Sequence, residues 1–492
     1  MITTAEYILM NQVTHNKPEL YNSFGGAHCL RETVLDTGFQ EFCSWSEILD
    51  TITEKMGEEY VTASFKNRHF VPNTSFFANL KLNKQLFAFY TIDTNNEVIK
   101  MLRVGELLQN FSGASFNAPL TASVPLKAFG LADMIPIMQS LVWFTPHKKG
   151  VRGVRNGAVA VTIDIDSPGA IESIICLKGI ETLVGMPEVK LNSSFFDKVR
   201  NDEHMLIETE GQNPFSIAAR KILEIISEII SKHSRPGLIF EIEEDHIIAP
   251  CGEITCVKDE GIPEASLNLT KFIVNSEFDY SLLRQSFYDA VSFLNRVIDI
   301  NPYITEEQRS VCLSRRSIGV GLMGLADLCC MLKIDFPSKE ALDLLGNILD
   351  KLKEYSNEAE ILKFNNVKIF AFSPTGTRSA VGKCSPTLFS YFDKLTTSCL
   401  TQTEKDNLIK SGNVKVDSDW SFTDFVEIVK LVEDKLDARV SYNVTLTSPT
   451  TKEIYDYIIK AHSYGVKQIS FFADYGQTSN VAKTLMMPDQ DI

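Results

Sequence analysis

The 492-residue chain contains no Cys-x-x-Cys, no run of about 18 apolar residues, no internal repeat, no low-complexity tract and no Pro- or Ser-rich linker. The missing apolar run argues against a transmembrane helix. The start, MITTAEYILMNQVTHNKPELY, has no basic segment before an apolar stretch and no small-residue cleavage site, so a secretory signal is not expected. Basic charge is also short. With 48 Lys+Arg against 63 Asp+Glu the net charge is -15, which does not suit nonspecific binding to nucleic acid or to anionic membranes. The 10 cysteines are too sparse for a disulfide scaffold and fit a reducing, cytoplasmic setting. Their closest pairs, Cys251/Cys256 and Cys329/Cys330, lack structural-zinc spacing and have no His pair nearby, so no protein-bound metal is expected. Most of these cysteines read as small buried hydrophobes.

What remains is an ordinary globular composition, 44% hydrophobic and 23% charged. The first ~60 residues carry apolar positions at helical spacing (LRETVLDTG, SWSEILDTITEKMGEEY). From about Phe65, short apolar runs alternate with amphipathic stretches, the pattern of an α/β domain. Helices are expected over Pro214–His233, with Ile222, Ile225, Ile226, Ile229 and Ile230 on one face, and over Tyr280–Ile300, Ile318–Leu332 and Ser338–Lys363. Strands are expected at Ala158–Ile165, Leu238–Glu243, Val367–Phe372 and Val466–Phe472, and the long helices between them favour parallel pairing.

Three segments carry candidate chemistry. In Ala249-Pro250-Cys251-Gly252-Glu253 a thiol and a carboxyl stand two residues apart, which in extended chain puts them on one side. Gly252 between them permits close approach. The pair reads as a nucleophilic or radical thiol beside a general base, with a structural loop cysteine as the alternative. Ser373-Pro374-Thr375-Gly376-Thr377 follows an expected strand and leads towards a helix start, a turn suited to phosphate or simply a connection. Asn73-Thr74-Ser75 offers hydroxyls to a ligand, or is a plain turn.

Taken in order, PNTSFFAN (72–79), GASFNAPL (113–120), GVRGVRNGAVAVTIDIDSPGAIESI (150–174), RPGLIFEIEED (235–245), APCGE (249–253), PEASLNLTKF (263–272), AVSFLNRVIDIN (290–301), RRSIGVGLMGLADL (315–328), SPTGTRSAVGKCS (373–385) and GVKQISFFADYGQTS (465–479) form a series. This series resembles the large, catalytic subunit of ribonucleotide reductases, nearest the adenosylcobalamin-dependent and aerobic types. The resemblance implies a ten-stranded α/β barrel with a central finger loop over 65–480, after a helical region at 1–64 and before a cysteine-free tail at 481–492. It implies Cys251 as the thiyl radical that takes a hydrogen atom from the ribose 3′ carbon, and Glu253 as the base for the 3′-hydroxyl proton. It implies substrate contacts from Asn73, Thr74, Ser75, Ser115, Ala249, Pro374, Thr375, Gly376 and Thr377.

The chain departs from that family in places that bear on activity. Ala249 stands where the family has Asn, and a lost hydrogen bond to a charged group costs about 1.5–3 kcal/mol. Ser115 and Ser266 occupy the positions of the reducing cysteine pair, and serine forms no disulfide. The tail KTLMMPDQDI has no cysteine to reload such a pair. The stretch from Leu120 to Gly150 is short for an effector-binding loop, and no ATP-binding cone is recognisable. Phe471-Phe472 replaces the tyrosine pair that relays a radical from a small subunit, although Tyr475 stands close by. This favours a locally generated radical, as adenosylcobalamin would supply, without excluding a radical-generating small subunit. A nucleotide substrate is expected, with no direct nucleic acid or membrane partner, and a homodimer is left open. Two readings stand: a thiyl-radical enzyme on the ribose of a nucleotide, reductive with an external electron source or non-reductive, and a catalytically inactive nucleotide- or partner-binding relative.

Overall fold

The computed structural model describes residues 45–80, 85–87, 89–91, 113–117, 159–167, 170–177, 186–207, 214–243, 245–389, 398–416 and 419–474. The LRETVLDTG segment, the 120–150 stretch, Tyr475 and the 481–492 tail lie outside these residues.

The strands begin with β1 (Phe70–Pro72), β2 (Phe89–Thr91), β3 (Gly113–Asn117), β4 (Val159–Asp164) and β5 (Met186–Lys190). Next come the hairpin β6 (His204–Ile207) and β7 (Phe215–Ala218), then β8 (Gly237–Ile239). A second hairpin is β9 (Ile247–Ile248) with β10 (Thr255–Cys256), followed by β11 (Gly261–Ile262) and β12 (Glu264–Asn268). A small hairpin, β13 (Ile273–Val274) and β14 (Glu277–Phe278), precedes β15 (Gly319–Met323). The last strands are β16 (Val444–Thr447), β17 (Gln468–Ile469) and β18 (Phe471–Asp474).

Two sheets organise these strands. The larger has the order β11-β2-β3-β4-β5-β8-β17, and β2, β3, β4, β5 and β8 run parallel. The smaller has the order β1-β12-β15, with β12 and β15 parallel and β1 antiparallel. This is the expected mixed α/β architecture; parallel pairing dominates the larger sheet, while the strand pairs among the described residues are six parallel and six antiparallel, and their ladders do not close into a barrel. The expected strand Val367–Phe372 accounts for part of the gap. It makes only the single bridges Val320↔Phe370 and Phe372↔Val440, and Pro374 soon follows, with no N–H to continue a ladder.

Helix positions follow local sequence where caps and faces agree. Tyr280–Ile300 is one helix as expected, started by Asp279, whose carboxylate accepts from the N–H groups of Ser281 and Leu282. The Ser338–Lys363 expectation becomes a helix over Lys339–Ser356 and a short one over Ala359–Leu362, with a break at Asn357. Two expectations need correction. Residues Phe215–Ala218 are not helical, because their backbone groups pair with His204–Ile207, and the helix begins at Ala219. Residues Gly319–Met323 form β15, and only Leu325–Leu332 is helical. A Cβ at Gly321 would lie 2.5 Å from the Ala371 carbonyl oxygen, so glycine lets this strand lie against the 370–372 segment. No helix among the described residues is long and apolar enough to cross a membrane.

The helix Ala219–His233 buries Ile222, Leu223, Ile226, Ile229 and Ile230 in the main core, while Ile225 is only half-buried. Replacing Ile226 with Ala should therefore cost about 2–5 kcal/mol of stability, and Ile225→Ala clearly less. Chemical denaturation of the two variants checks this; equal losses would contradict the assigned face.

Candidate functional site

The β9–β10 hairpin carries the thiol and its neighbouring carboxyl. Thr255 pairs with Ile248 and Cys256 with Ile247, and the Ala249 N–H donates to the Ile254 carbonyl at 2.8 Å. At the tip the Gly252 N–H donates back to the Ala249 carbonyl at 2.9 Å, which folds Pro250 and Cys251 into a tight turn. Gly252 has φ +80°, and a Cβ there would sit 2.3 Å from the Gln468 side-chain nitrogen, so both conformation and space demand glycine. Gln468 is itself fixed, donating to the Val440 carbonyl at 3.0 Å and accepting from Arg439 at 3.3 Å.

The base of the hairpin is apolar. Ala249, Ile254 and Cys256 are buried in one cluster with Phe89, Ile262 and Ala371. These come from β2, β11 and the 370–372 segment, so the hairpin is gripped by the larger sheet and by the segment bridged to β15 of the smaller one. A polar clamp also acts on β10. Lys368 donates to Glu243 at 3.1 Å and to the Thr255 hydroxyl at 2.6 Å, and Thr255 donates to Glu243 at 2.8 Å. Burial works against ionisation of Glu243, but its backbone hydrogen bond, Thr255 and Lys368 outweigh it and hold the carboxyl at about 2.

Cys251 is half-buried and forms no disulfide. Glu253, two residues on, is 4% exposed. Burial, then the charge of Glu264, push its carboxyl up to about 8, against the pull of its backbone hydrogen bond and of Arg378. Glu188 on β5 is also buried and raised well above the usual carboxylate range, first by burial and then by Glu253, with Arg439 opposing. Three glutamates thus stand in one low-dielectric region.

Arg378 ties this region to the other candidate segments. Its guanidinium is buried and forms an ion pair with Glu264 at 3.2 Å. It also donates to the Ser266 hydroxyl at 3.0 Å, to the Pro374 carbonyl at 3.1 Å and to the Ser373 hydroxyl. Asn73 joins from the end of β1: its N–H donates to the Glu264 carbonyl at 2.9 Å and its side-chain oxygen accepts from the Glu264 N–H at 3.3 Å. The Asn73 amide nitrogen donates to the Leu86 carbonyl at 3.2 Å. Its amide is therefore used within the chain.

The fold brings half of the expected site residues together. Cys251, Glu253 and Ala249 share the hairpin, and Asn73, Ser266 and the 373–374 turn meet it through Glu264 and Arg378. Thr375 is buried, and its hydroxyl accepts from the Thr387 N–H at 2.6 Å. Pro374 and Gly376 are exposed, and the space beside Gly376 is open. Thr377 lies in the helix Gly376–Gly382, Thr74 opens the helix Thr74–Asn79, and Ser75 is buried. Ser115 lies on β3, paired with Thr91 and Ala160. Phe471 and Phe472 are both buried on β18. Cys256, Cys312, Cys329 and Cys384 are buried, as small apolar residues would be.

The sequence reading missed Glu188, Glu264, Arg378, Arg439 and Gln468. Glu188 left one signal, a carboxyl between the buried apolar residues Pro187 and Val189. Among the described residues, no group of three or more His, Cys, Asp or Glu is arranged to hold a metal ion.

Residues 182–362 match the family model described as "Ribonucleotide reductase, barrel domain". The vitamin B12-dependent ribonucleoside-diphosphate reductase of Thermoplasma acidophilum is 27% identical over 277 residues, which is 49% of this chain and 36% of that protein. Its namesake from Mycobacterium tuberculosis is 26% identical over 227 residues, 42% of this chain and 32% of that protein. The chain thus spans about a third of the length of these curated relatives. In fold, it is similar to the class Id ribonucleotide reductase alpha subunit of Actinobacillus ureae, with a TM-score of 0.69 at 15% identity, covering 90% of this chain and 96% of that one.

Two outcomes follow from the geometry. Unfolded chain releases the Glu253 proton near 4.5, whereas folded protein keeps it to about 8. The resulting stabilisation is complete below 4.5, declines as pH rises and is gone above about 8. Glu188 and Glu433 are raised too and pull the same way, so the comparison must be with Glu253→Gln. Its melting temperature should fall less steeply than wild type across that window; parallel curves would contradict the assignment. Separately, Gly252→Ala should lose about 1–2 kcal/mol from its left-handed backbone, and more from contact with Gln468. Adding Gln468→Ala should recover only the contact part of the loss in thermal unfolding.

Proposed function

We propose that this chain, which belongs to the ribonucleotide reductase large-subunit family as a divergent member, runs thiyl-radical chemistry at Cys251 on the ribose of a nucleotide. The observation that carries the reading is the hairpin turn shared by a half-buried cysteine and a buried carboxyl. That carboxyl is linked through Glu264 and Arg378 to the 373–374 turn. A thiyl radical at Cys251 takes the hydrogen atom from the 3′ carbon: the C–H bond breaks, the S–H bond forms, and the unpaired electron moves to the sugar. The 3′-hydroxyl proton goes to a carboxyl oxygen of Glu253. The turn at Pro374, Thr375, Gly376 and Thr377 holds phosphate, a reading supported by the exposure of Pro374 and Gly376. Asn73, Thr74 and Ser75 form the second segment of that phosphate site, and Asn73 is joined to the turn through Glu264 and Arg378.

Conversion of a ribonucleotide to a deoxyribonucleotide also needs two electrons. Ser115 and Ser266 carry no sulfur, and Arg378 already donates to the Ser266 hydroxyl, so these electrons come from an external donor. A non-reductive reaction at the ribose needs none. Vitamin B12 dependence is stated for the two relatives, and the partial exposure of Cys251 fits a radical source that approaches from outside the chain. Adenosylcobalamin would supply a carbon radical that takes the thiol hydrogen of Cys251. A small subunit is the other candidate source, and buried Phe471 and Phe472 in place of tyrosines argue against it. The competing reading, an inactive nucleotide-binding relative, is favoured by Ala249 and by a Glu253 that rests protonated.

We also read the two sheets, joined by the parallel pair β16 and β18, as parts of a ten-stranded barrel around the hairpin. Its support is chain continuity: β11 runs into β12 through Pro263, and β17 into β18 through Ser470. Between β15 and β16 the backbone bonds pass through Ala371 to Val320 at 3.2 Å and Ser441 to Phe372 at 2.8 Å.

Incubation with a 3′-tritiated ribonucleotide, adenosylcobalamin and dithiothreitol tests the reading. Tritium should wash out of the 3′ position and Cys251→Ser should abolish it. Washout that survives in Cys251→Ser, or nucleotide binding with no washout from any radical source, would overturn it.

A further inference from the structure

The carboxyls of Glu253 and Glu264 are hydrogen-bond neighbours, although neither can donate when both are ionised. Glu253 Oε2 and Glu264 Oε1 are each buried without a donor, while the other Glu264 oxygen accepts from Arg378. One proton between the two side chains removes this conflict. An unpaired buried anion is costly, and two adjacent buried anions more so.

Deepening the radical-enzyme reading and resting on it, we infer that Glu264 is a positioning residue for the proton step, sharing a single proton with Glu253, and that Arg378 keeps the negative charge of the pair on Glu264. The ion pair at 3.2 Å favours the carboxylate on the Glu264 side, so the proton rests on Glu253. When the substrate hydroxyl delivers its proton, the O3′–H bond breaks and a new O–H bond forms on Glu253. The resting Glu253 O–H bond breaks, and its proton passes to Glu264. Both carboxyls end neutral and no electron changes hands. Arg378 then keeps its bonds to Ser266, Ser373 and Pro374, so the 373–374 turn stays in place as the pair loses its charge.

Glu188 on β5 faces Glu253 with like charge, and Arg439 faces Glu188 in turn. Cys256, on the same hairpin, also interacts with Glu253, and burial first of all pushes its thiol well up. Arg378 is the cation that bears on Glu253 itself.

Infrared titration of the full chain, with no substrate, reads the shared proton directly. Wild type should show a buried protonated carboxyl that disappears near pH 8. In Glu264→Gln the midpoint should fall by about one unit or more, because a like charge is removed and Arg378 is left to face Glu253. Glu264→Asp should restore the wild-type direction. Folded Glu264→Gln with an unchanged midpoint would show that Glu264 is only structural. Should that variant not fold, Glu253→Gln decides by difference from wild type: one carboxyl component near pH 8 should be lost while those of Glu188 and Glu433 remain, and a spectrum that loses no component there would overturn the shared proton. The pH profile of 3′-tritium washout should move with the infrared midpoint. A shifted midpoint without washout in any protein leaves the shared proton standing and fails only the radical reading; washout with unmoved midpoints fails only the inference.

Discussion

A buried guanidinium holds the site in register. Arg378 meets Glu264 and Ser266 on β12 and Ser373 and Pro374 at the turn, spanning more than a hundred residues of sequence with one planar group. Removing one partner of such a pair leaves the other charge buried and unpaired, a cost of about 3–5 kcal/mol. A lysine, with a single ammonium, would not reach the same set in fixed geometry. The position of the turn relative to the hairpin therefore depends on this contact more than on either segment's own sequence.

Burial gives the carboxyls their character. Glu188 and Glu253 project from different elements into a region with little water, so both resist ionisation, and the two guanidinium groups of Arg378 and Arg439 offset only part of that resistance. Glu243, only a few residues before the hairpin, shows the contrast. There a hydroxyl, a backbone N–H and Lys368 hold the carboxylate ionised and brace β10. The same residue type thus serves as a structural anion at the rim and as a proton holder inside. The thiol lies between these environments, on a turn fixed by Gly252 against Gln468.

Legibility in the sequence followed locality. Cys251 and Glu253 could be read because two residues and one glycine define their relation. The Tyr280–Ile300 helix could be read because its apolar face and its Asp279 cap lie in one continuous segment. Phe215–Ala218 was misread because four residues of alternation ahead of a strong amphipathic helix look like its first turn, and only the partner at 204–207 decides otherwise. Gly319–Met323 was misread because an apolar run has the same composition as a buried helix; the close approach to Ala371 is a tertiary fact. The glutamate and arginine network was invisible for the same reason, since Glu188, Glu253, Glu264, Arg378 and Arg439 meet only after five elements pack. The ten-stranded barrel came from resemblance, and the observed ladders stop short of it at the single bridges around Phe370 and Phe372.

The central claim is that a sulfur atom and a sugar carbon meet inside this fold. A crystal structure of the full chain with a bound ribonucleotide measures it directly. The account requires the 3′ carbon to lie about 3–3.5 Å from the Cys251 sulfur, with phosphate oxygens on the 374–377 turn. A nucleotide bound elsewhere, or one on that turn with its ribose directed away from Cys251, would contradict it.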